Sequence, residues 1–238
     1  MLEKIMKFPV CNPMSNTVSR AARNQPAHAG SRSDAASLYA VSGGRKYLNQ
    51  SERQRSLAGM EELPNEQKLF AQTLAWTGAR VSEVLALTAA SFQVKAGIVG
   101  IVTLKRRRFA VREVPIPPAL MADLDAHFGL RASRNSPRML DRLWNFCRTT
   151  AWRVIKRIMK TAGISGRHAC PKAFRHAFGI GTLQSGVPMN LTQRWLGHAS
   201  VRTTAIYADA AGPEEIAFAQ RFWRPPSGEA RHDQVTAA

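Results

Sequence analysis

Hydrophobic residues recur at three- and four-residue intervals along most of this chain and shift to alternate positions over one stretch. Between 64 and 87, Leu69, Phe70, Leu74 and Trp76, then Val81, Val84, Leu85 and Leu87, follow helical spacing, with Thr77 and Gly78 interrupting them. This predicts two helices joined by a tight turn, with Arg80 at the start of the second. Upstream, Asn49 and Glu52 stand at the spacing of a capping box, so a helix is predicted to start there. From 91 to 117 the period shortens. Ile98, Val102 and Leu104, then Ala110, Val114 and Ile116, flank Lys105, Arg106, Arg107 and Arg108. The pattern predicts a small antiparallel sheet with a basic hairpin tip. Pro118 suits the first turn of a helix running to Phe128.

Residues 148–162 predict an amphipathic helix with Trp152, Ile155, Met159 and Ala162 as its apolar stripe and Arg153, Lys156, Arg157 and Lys160 as a basic one. Gly163 to Gly166 stop it, and Pro171 opens a helix over 171–183. There Phe174 and Phe178 face the core, while Lys172, Arg175 and Gly179 share a different face. A short helix ending at Leu196 follows, then a turn at Gly197 and His198, and a shorter helix opened by Ser200 and reaching Tyr207. A last amphipathic segment, 213–223, is expected to be anchored by Trp223. Residues 1–44 lack periodicity and are expected to form a flexible basic arm with a short helix around 35–41. The expected division is therefore that arm, a folded domain over 45–224 and a polar tail over 225–238.

Charge adds a partner to this outline. Lys and Arg number 34 against 16 Asp and Glu, a net charge of +18. Between 101 and 175 the ratio is 17 to 4, so the excess is a patch. Such a patch points to a polyanion, and nucleic acid first, because each phosphate neutralised releases condensed counterions. The cysteines Cys11, Cys147 and Cys170 are odd in number and widely spaced, which suggests neither a disulfide framework nor a zinc site. No apolar run approaches the ~20 residues that span a bilayer. A cytoplasmic protein without membrane contact is expected.

Three fragments carry the candidate chemistry. They are T-G-A-R-V-S-E-V-L-A-L-T around Arg80 and Glu83, K-A-F-R-H-A-F-G around Arg175, and L-G-H-A-S-V-R-T-T-A-I-Y, in which Tyr207 stands nine residues after His198. A phosphodiester is anionic and gains charge on its non-bridging oxygens under attack, so two guanidinium forks there stabilise the transition state. A phenol with an ordinary pKa near ~10 needs such a cluster, or a base, before it is a competent nucleophile.

In this order the fragments resemble the tyrosine recombinase, or integrase, family over about residues 45–224. The resemblance implies an α+β, mainly α-helical catalytic-domain fold with a small antiparallel β-sheet. It also implies a site-specific recombinase that joins DNA to tyrosine through a 3′-phosphotyrosyl link and frees a 5′-hydroxyl. Arg80 and Arg175 match its two catalytic arginines, and Glu83 the acidic residue that buttresses the first. His198 matches the late histidine, Tyr207 the nucleophile, and Lys105 the general acid of the hairpin. Lys172 stands where the family usually has histidine, so a positive contact is kept while an imidazole is lost. His176 is expected to support the site, and Trp195 to belong to the core.

No cofactor and no metal are implied. Double-stranded DNA is the implied partner, with a homotetramer on DNA and an accessory protein or partner recombinase beside it, acting in integration, excision or resolution of a mobile element. The family usually carries an N-terminal helical domain that completes a clamp on DNA, and with about 44 residues ahead of the fold that clamp is expected to be absent or replaced by the basic arm. The rival readings are a type IB topoisomerase-like relaxing enzyme and a non-catalytic DNA-binding accessory protein derived from an integrase.

Overall fold

The computed structural model describes residues 37–40, 43–103 and 110–208, together with 216, 219, 220 and 223. Helix α1 (Gln50–Met60) opens on the anticipated capping box. The Glu52 N–H donates to Asn49 Oδ1 at 2.8 Å, and the Asn49 N–H donates to Glu52 Oε2 at 2.9 Å, so two otherwise orphaned donors are satisfied. Helix α2 (Asn65–Thr77) supplies Leu69, Phe70 and Leu74 to the core, none more than 1% exposed, and packs against three later helices. It ends at Gly78, whose φ of +60° turns the chain at once into Arg80 and the single turn of α3 (Val81–Val84).

Strands β1 (Phe92–Gln93), β2 (Ile98–Val102) and β3 (Val111–Pro115) form an antiparallel sheet in the order β1-β2-β3. Ile101 pairs with Arg112 and Val102 with Val111. Side chains alternate along β3, so Arg112 and Val114 point inward and Val111 and Glu113 outward. The hairpin tip with Lys105 lies outside the described residues. Helix α4 is Pro118–Phe128, followed by α5 (Arg148–Thr161), α6 (Pro171–Gln184), α7 (Met189–Leu196) and the short α8 (Arg202–Ala205). Phe174 and Phe178 are buried on α6, as their spacing predicts.

Three expectations are corrected. The short helix around 35–41 is absent from the described residues 37–40. There a turn at Gly43, φ +77°, folds the chain back so that Tyr39 bridges Arg45, and burial of Leu38 and Ala40 holds it. Trp152 is not part of the α5 apolar stripe. That stripe is centred on Ala151, Val154, Ile155, Ile158 and Met159, and a residue one position from Ala151 is turned ~100° away. Trp152 is 49% exposed, with the Lys156 ammonium 5.7 Å from its ring centre. Trp223, expected as an anchor, is 66% exposed. Among the described residues no helix is long and apolar enough to cross a membrane.

Candidate active site

Arg80 emerges from the α2–α3 turn with both ends held by one carboxylate. Its N–H donates to Glu83 Oε2 at 2.9 Å and its Nη1 to Glu83 Oε1 at 2.7 Å. The Glu83 side chain is fully buried, while that of Arg80 keeps 30% of its surface open. Arg175 rises from α6 and bridges two turns, with Nη1 donating to the Gly78 carbonyl and Nη2 to the Leu196 carbonyl, each at 2.7 Å. Burial, and then the charge of Arg80, bring the Arg175 pKa down to about 10.

The second half of the site hangs from the end of α7. Gly197 takes φ +69°, and the His198 N–H returns to the Gln193 carbonyl at 3.1 Å, which aims the imidazole inward. His198 Nδ1 lies 2.9 Å from the Thr204 hydroxyl of α8. Tyr207 follows one turn later, 2% exposed, its ring stacked on His198 at 6.1 Å between centres with 20° between planes. That ring also rests on α6 at Gly179, where a Cβ would come within 2.5 Å of it. A glycine there is what lets the tyrosine lie against the helix.

Electrostatics divide the site sharply. Burial, and then the charges of Arg175 and Arg80, push the His198 pKa down to about 3, so its imidazole is neutral at physiological pH. For His176, burial and then Lys172, Arg175 and Lys46 bring it down to about 4. Burial raises the Tyr207 pKa although Arg175 and Arg80 pull against it. Tyr207 is thus held as the phenol here, with burial outweighing the two arginines.

The fold gathers Arg80, Arg175, His198 and Tyr207. Lys172 is exposed in the first turn of α6, close enough to depress His176, and Lys105 lies outside the described residues. His176 is 5% exposed, its ring centre 5.7 Å from that of Tyr207, and neither ring nitrogen has a hydrogen-bond partner among the described residues. Trp195 packs partly buried against the core.

Sequence reasoning missed Arg112. Its side chain is 4% exposed, and its Nη2 donates to Glu83 Oε2 at 2.7 Å. The signal was present as a charged residue at the inward register of β3, in phase with Val114 and Ile116. Among the described residues no three His, Cys, Asp or Glu side chains gather as a metal site.

A model of the phage integrase family matches residues 46–213, and the chain belongs to that family. Among its relatives is tyrosine recombinase XerA of Pyrococcus furiosus, 30% identical over 156 residues, which cover 62% of this chain and 52% of the relative. Tyrosine recombinase XerD of Yersinia pestis is 30% identical over 158 residues, covering 60% and 50%. The chain spans about half the length of these curated relatives. Among solved structures, a XerA recombinase superimposes with a TM-score of 0.63 at 25% identity, over 76% of this chain and 66% of that one. The catalytic domain of bacteriophage HP1 integrase shares the fold, with a TM-score of 0.53 at 23% identity over 74% of this chain and 94% of its own. A XerH recombinase bound to a palindromic difH substrate, in a post-cleavage complex, shares it too, with a TM-score of 0.59 at 21% identity over 75% and 53% of the two chains.

Proposed function

We propose that the chain is a site-specific DNA recombinase that breaks and rejoins double-stranded DNA through Tyr207. The observation that carries this is the convergence of Tyr207 and His198, stacked ring on ring, with the guanidinium groups of Arg175 and Arg80. Arg80 and Arg175 take the non-bridging oxygens of a phosphate, and neutral His198 donates an N–H to one of them. Attack forms a bond from Tyr207 Oη to phosphorus and breaks the bond from phosphorus to the 5′-oxygen. The phenolic proton of Tyr207 passes to solvent water, and one proton reaches the departing 5′-oxygen from Lys105, which regains it when the step is reversed. A 5′-hydroxyl from another strand reverses the step, so the phosphoester energy is conserved without a nucleotide. Lys172 contributes a point charge beside the phosphate.

The net charge of +18 and the DNA complexes formed by structural neighbours support a DNA substrate. In this reading residues 45–224 are the catalytic domain, 1–44 a basic arm and 225–238 a tail. The protein works in the cytoplasm as a tetramer on DNA, with or without a partner recombinase, on a mobile element. The test is a pool of nicked duplexes of randomised sequence, cut so that the short 5′ fragment diffuses away after cleavage. Wild type, and Lys172→His with it, should give a covalent protein–DNA adduct on a denaturing gel, and Tyr207→Phe none. An adduct that survives in Tyr207→Phe sinks the assignment. Relaxation of supercoiled plasmid without a site requirement would instead favour the topoisomerase-like reading.

A further inference from the structure

The carboxylate of Glu83 has more cations than it needs. Arg80 approaches Oε1 and Arg112 approaches Oε2, each at 2.7 Å, in a place where Glu83 is fully buried and Arg112 nearly so. Burial opposes ionisation of Glu83, yet the charge and hydrogen bond of Arg112, followed by Arg80, hold its pKa below the usual carboxylate range. With Arg80 alone, a buried carboxylate would cancel the guanidinium charge on which a phosphate depends. With two arginines on one carboxylate, the pair orients Arg80 and leaves a net positive charge facing the open side.

The same side chain reaches the other parts of the site. Arg112 Nε donates to the Trp195 carbonyl at 2.7 Å, one residue before the Leu196 carbonyl taken by Arg175. These are orphan carbonyls at the end of α7, where a cation is favoured. Its Cδ lies 3.0 Å from where a Cβ on Gly197 would be, so it packs directly beneath the turn that aims His198. Its Nη1 donates to the Thr103 hydroxyl at 2.9 Å, at the last described residue before the segment that carries Lys105.

We infer that Arg112 is a positioning residue of the strand-transfer site, fixing Arg80 through Glu83, the His198 turn through Trp195, and the end of β2 through Thr103. It does not touch the reacting phosphate. Each of its guanidinium nitrogens is committed to one wall of the site, so a lysine, with a single nitrogen, cannot serve all three. This rests on the recombinase reading proposed above.

The experiment compares wild type, Arg112→Lys and the double variant Glu83→Gln/Arg112→Met in the full chain. The double variant removes both charges and leaves no lone buried ion. The readouts are thermal midpoint, DNA affinity and the single-turnover rate of adduct formation on a nicked duplex recovered from the randomised pool. A second duplex carries a neutral methylphosphonate at the scissile position. Affinity should stay within about threefold while the rate falls about a hundredfold, the scale of losing one oriented donor. Because the neutral centre lacks the charge that Arg80 answers, the gap to wild type should shrink to about tenfold or less on the methylphosphonate.

A merely structural arginine would lower the thermal midpoint and leave the rate of the folded fraction, and that gap, unchanged. Either result with an active wild type overturns this inference alone. An inactive wild type overturns the recombinase reading and this inference with it.

Discussion

At the scale of single residues, the two histidines beside Tyr207 make the fold sensitive to acid. His176 and His198 have folded pKa values near 4 and 3, below the ordinary value of an unfolded histidine near ~6.5. The unfolded chain therefore binds protons that the folded chain refuses, and stability rises with pH across that interval. It is complete above about pH 7 and is lost as the pH falls toward 4. From pH 7 to 5 each histidine should withdraw about 1–2 kcal/mol. Glu83, whose pKa is lowered, extends the loss in the same direction below the carboxylate range. His176→Leu removes one titration and two unpartnered nitrogens, so its thermal midpoint should fall less from pH 7 to 5 than that of wild type. Parallel curves would exclude His176 as a source.

Residue chemistry explains what could be read in advance and what could not. Arg80, Arg175, His198 and Tyr207 were legible through the family resemblance of the three fragments that hold them, and in the fold Gly78, Gly179 and Gly197 beside them serve turns and close approach. Arg112 was not. A cation on a strand reads as a solvated face until pairing shows that it shares the inward register with Val114. The burial of Tyr207, which keeps its phenol protonated, depends on its ring lying against Gly179 and His176 of α6, a long-range contact that no local pattern encodes.

Elements position the site through their ends more than through their lengths. Gly78 closes α2 in the left-handed region, and an added Cβ there would meet Phe178 at 2.6 Å and Leu196 at 2.9 Å. Gly163, beyond α5, has φ +66° with nothing within 4 Å of a Cβ. Alanine at 163 should cost about 1–2 kcal/mol, the backbone penalty alone. At 78 it should cost roughly 2–4 kcal/mol, since packing is disturbed as well. Urea midpoints of the two variants give the difference, and equal values would remove the packing contribution. Helix starts were legible for α1, α4 and α6 because a capping box and prolines announce them. In the apolar stripe of α5, Ile155, Met159 and Ala162 are buried as expected, and only Trp152 is misplaced, because it is apolar yet lies off the buried face.

At the scale of the whole molecule, the charge is the property that an assay reads most directly. Arg153, Arg157 and Lys160 are exposed along α5. If that face meets DNA, affinity should fall steeply with salt, with a log–log slope that shrinks by about 1 for each phosphate contact removed. Arg153→Ala/Arg157→Ala should therefore lower the slope by about 2 in a salt titration of duplex binding. An unchanged slope would place the DNA on another face. The sign of the charge and its concentration in the middle of the chain were plain from composition, whereas the partition of cations between solvent and interior was not.

The bonds from Arg175 to the Gly78 carbonyl and from Arg112 to the Trp195 carbonyl join residues 97 and 83 positions apart. Contacts of that span form late, because loop closure must come before they are rewarded. A chain still emerging during synthesis, in which Tyr207 appears after all four of these residues, has neither the gathered arginines nor a seated tyrosine. On the recombinase reading proposed above, the capacity to cut would therefore arrive only with the completed fold.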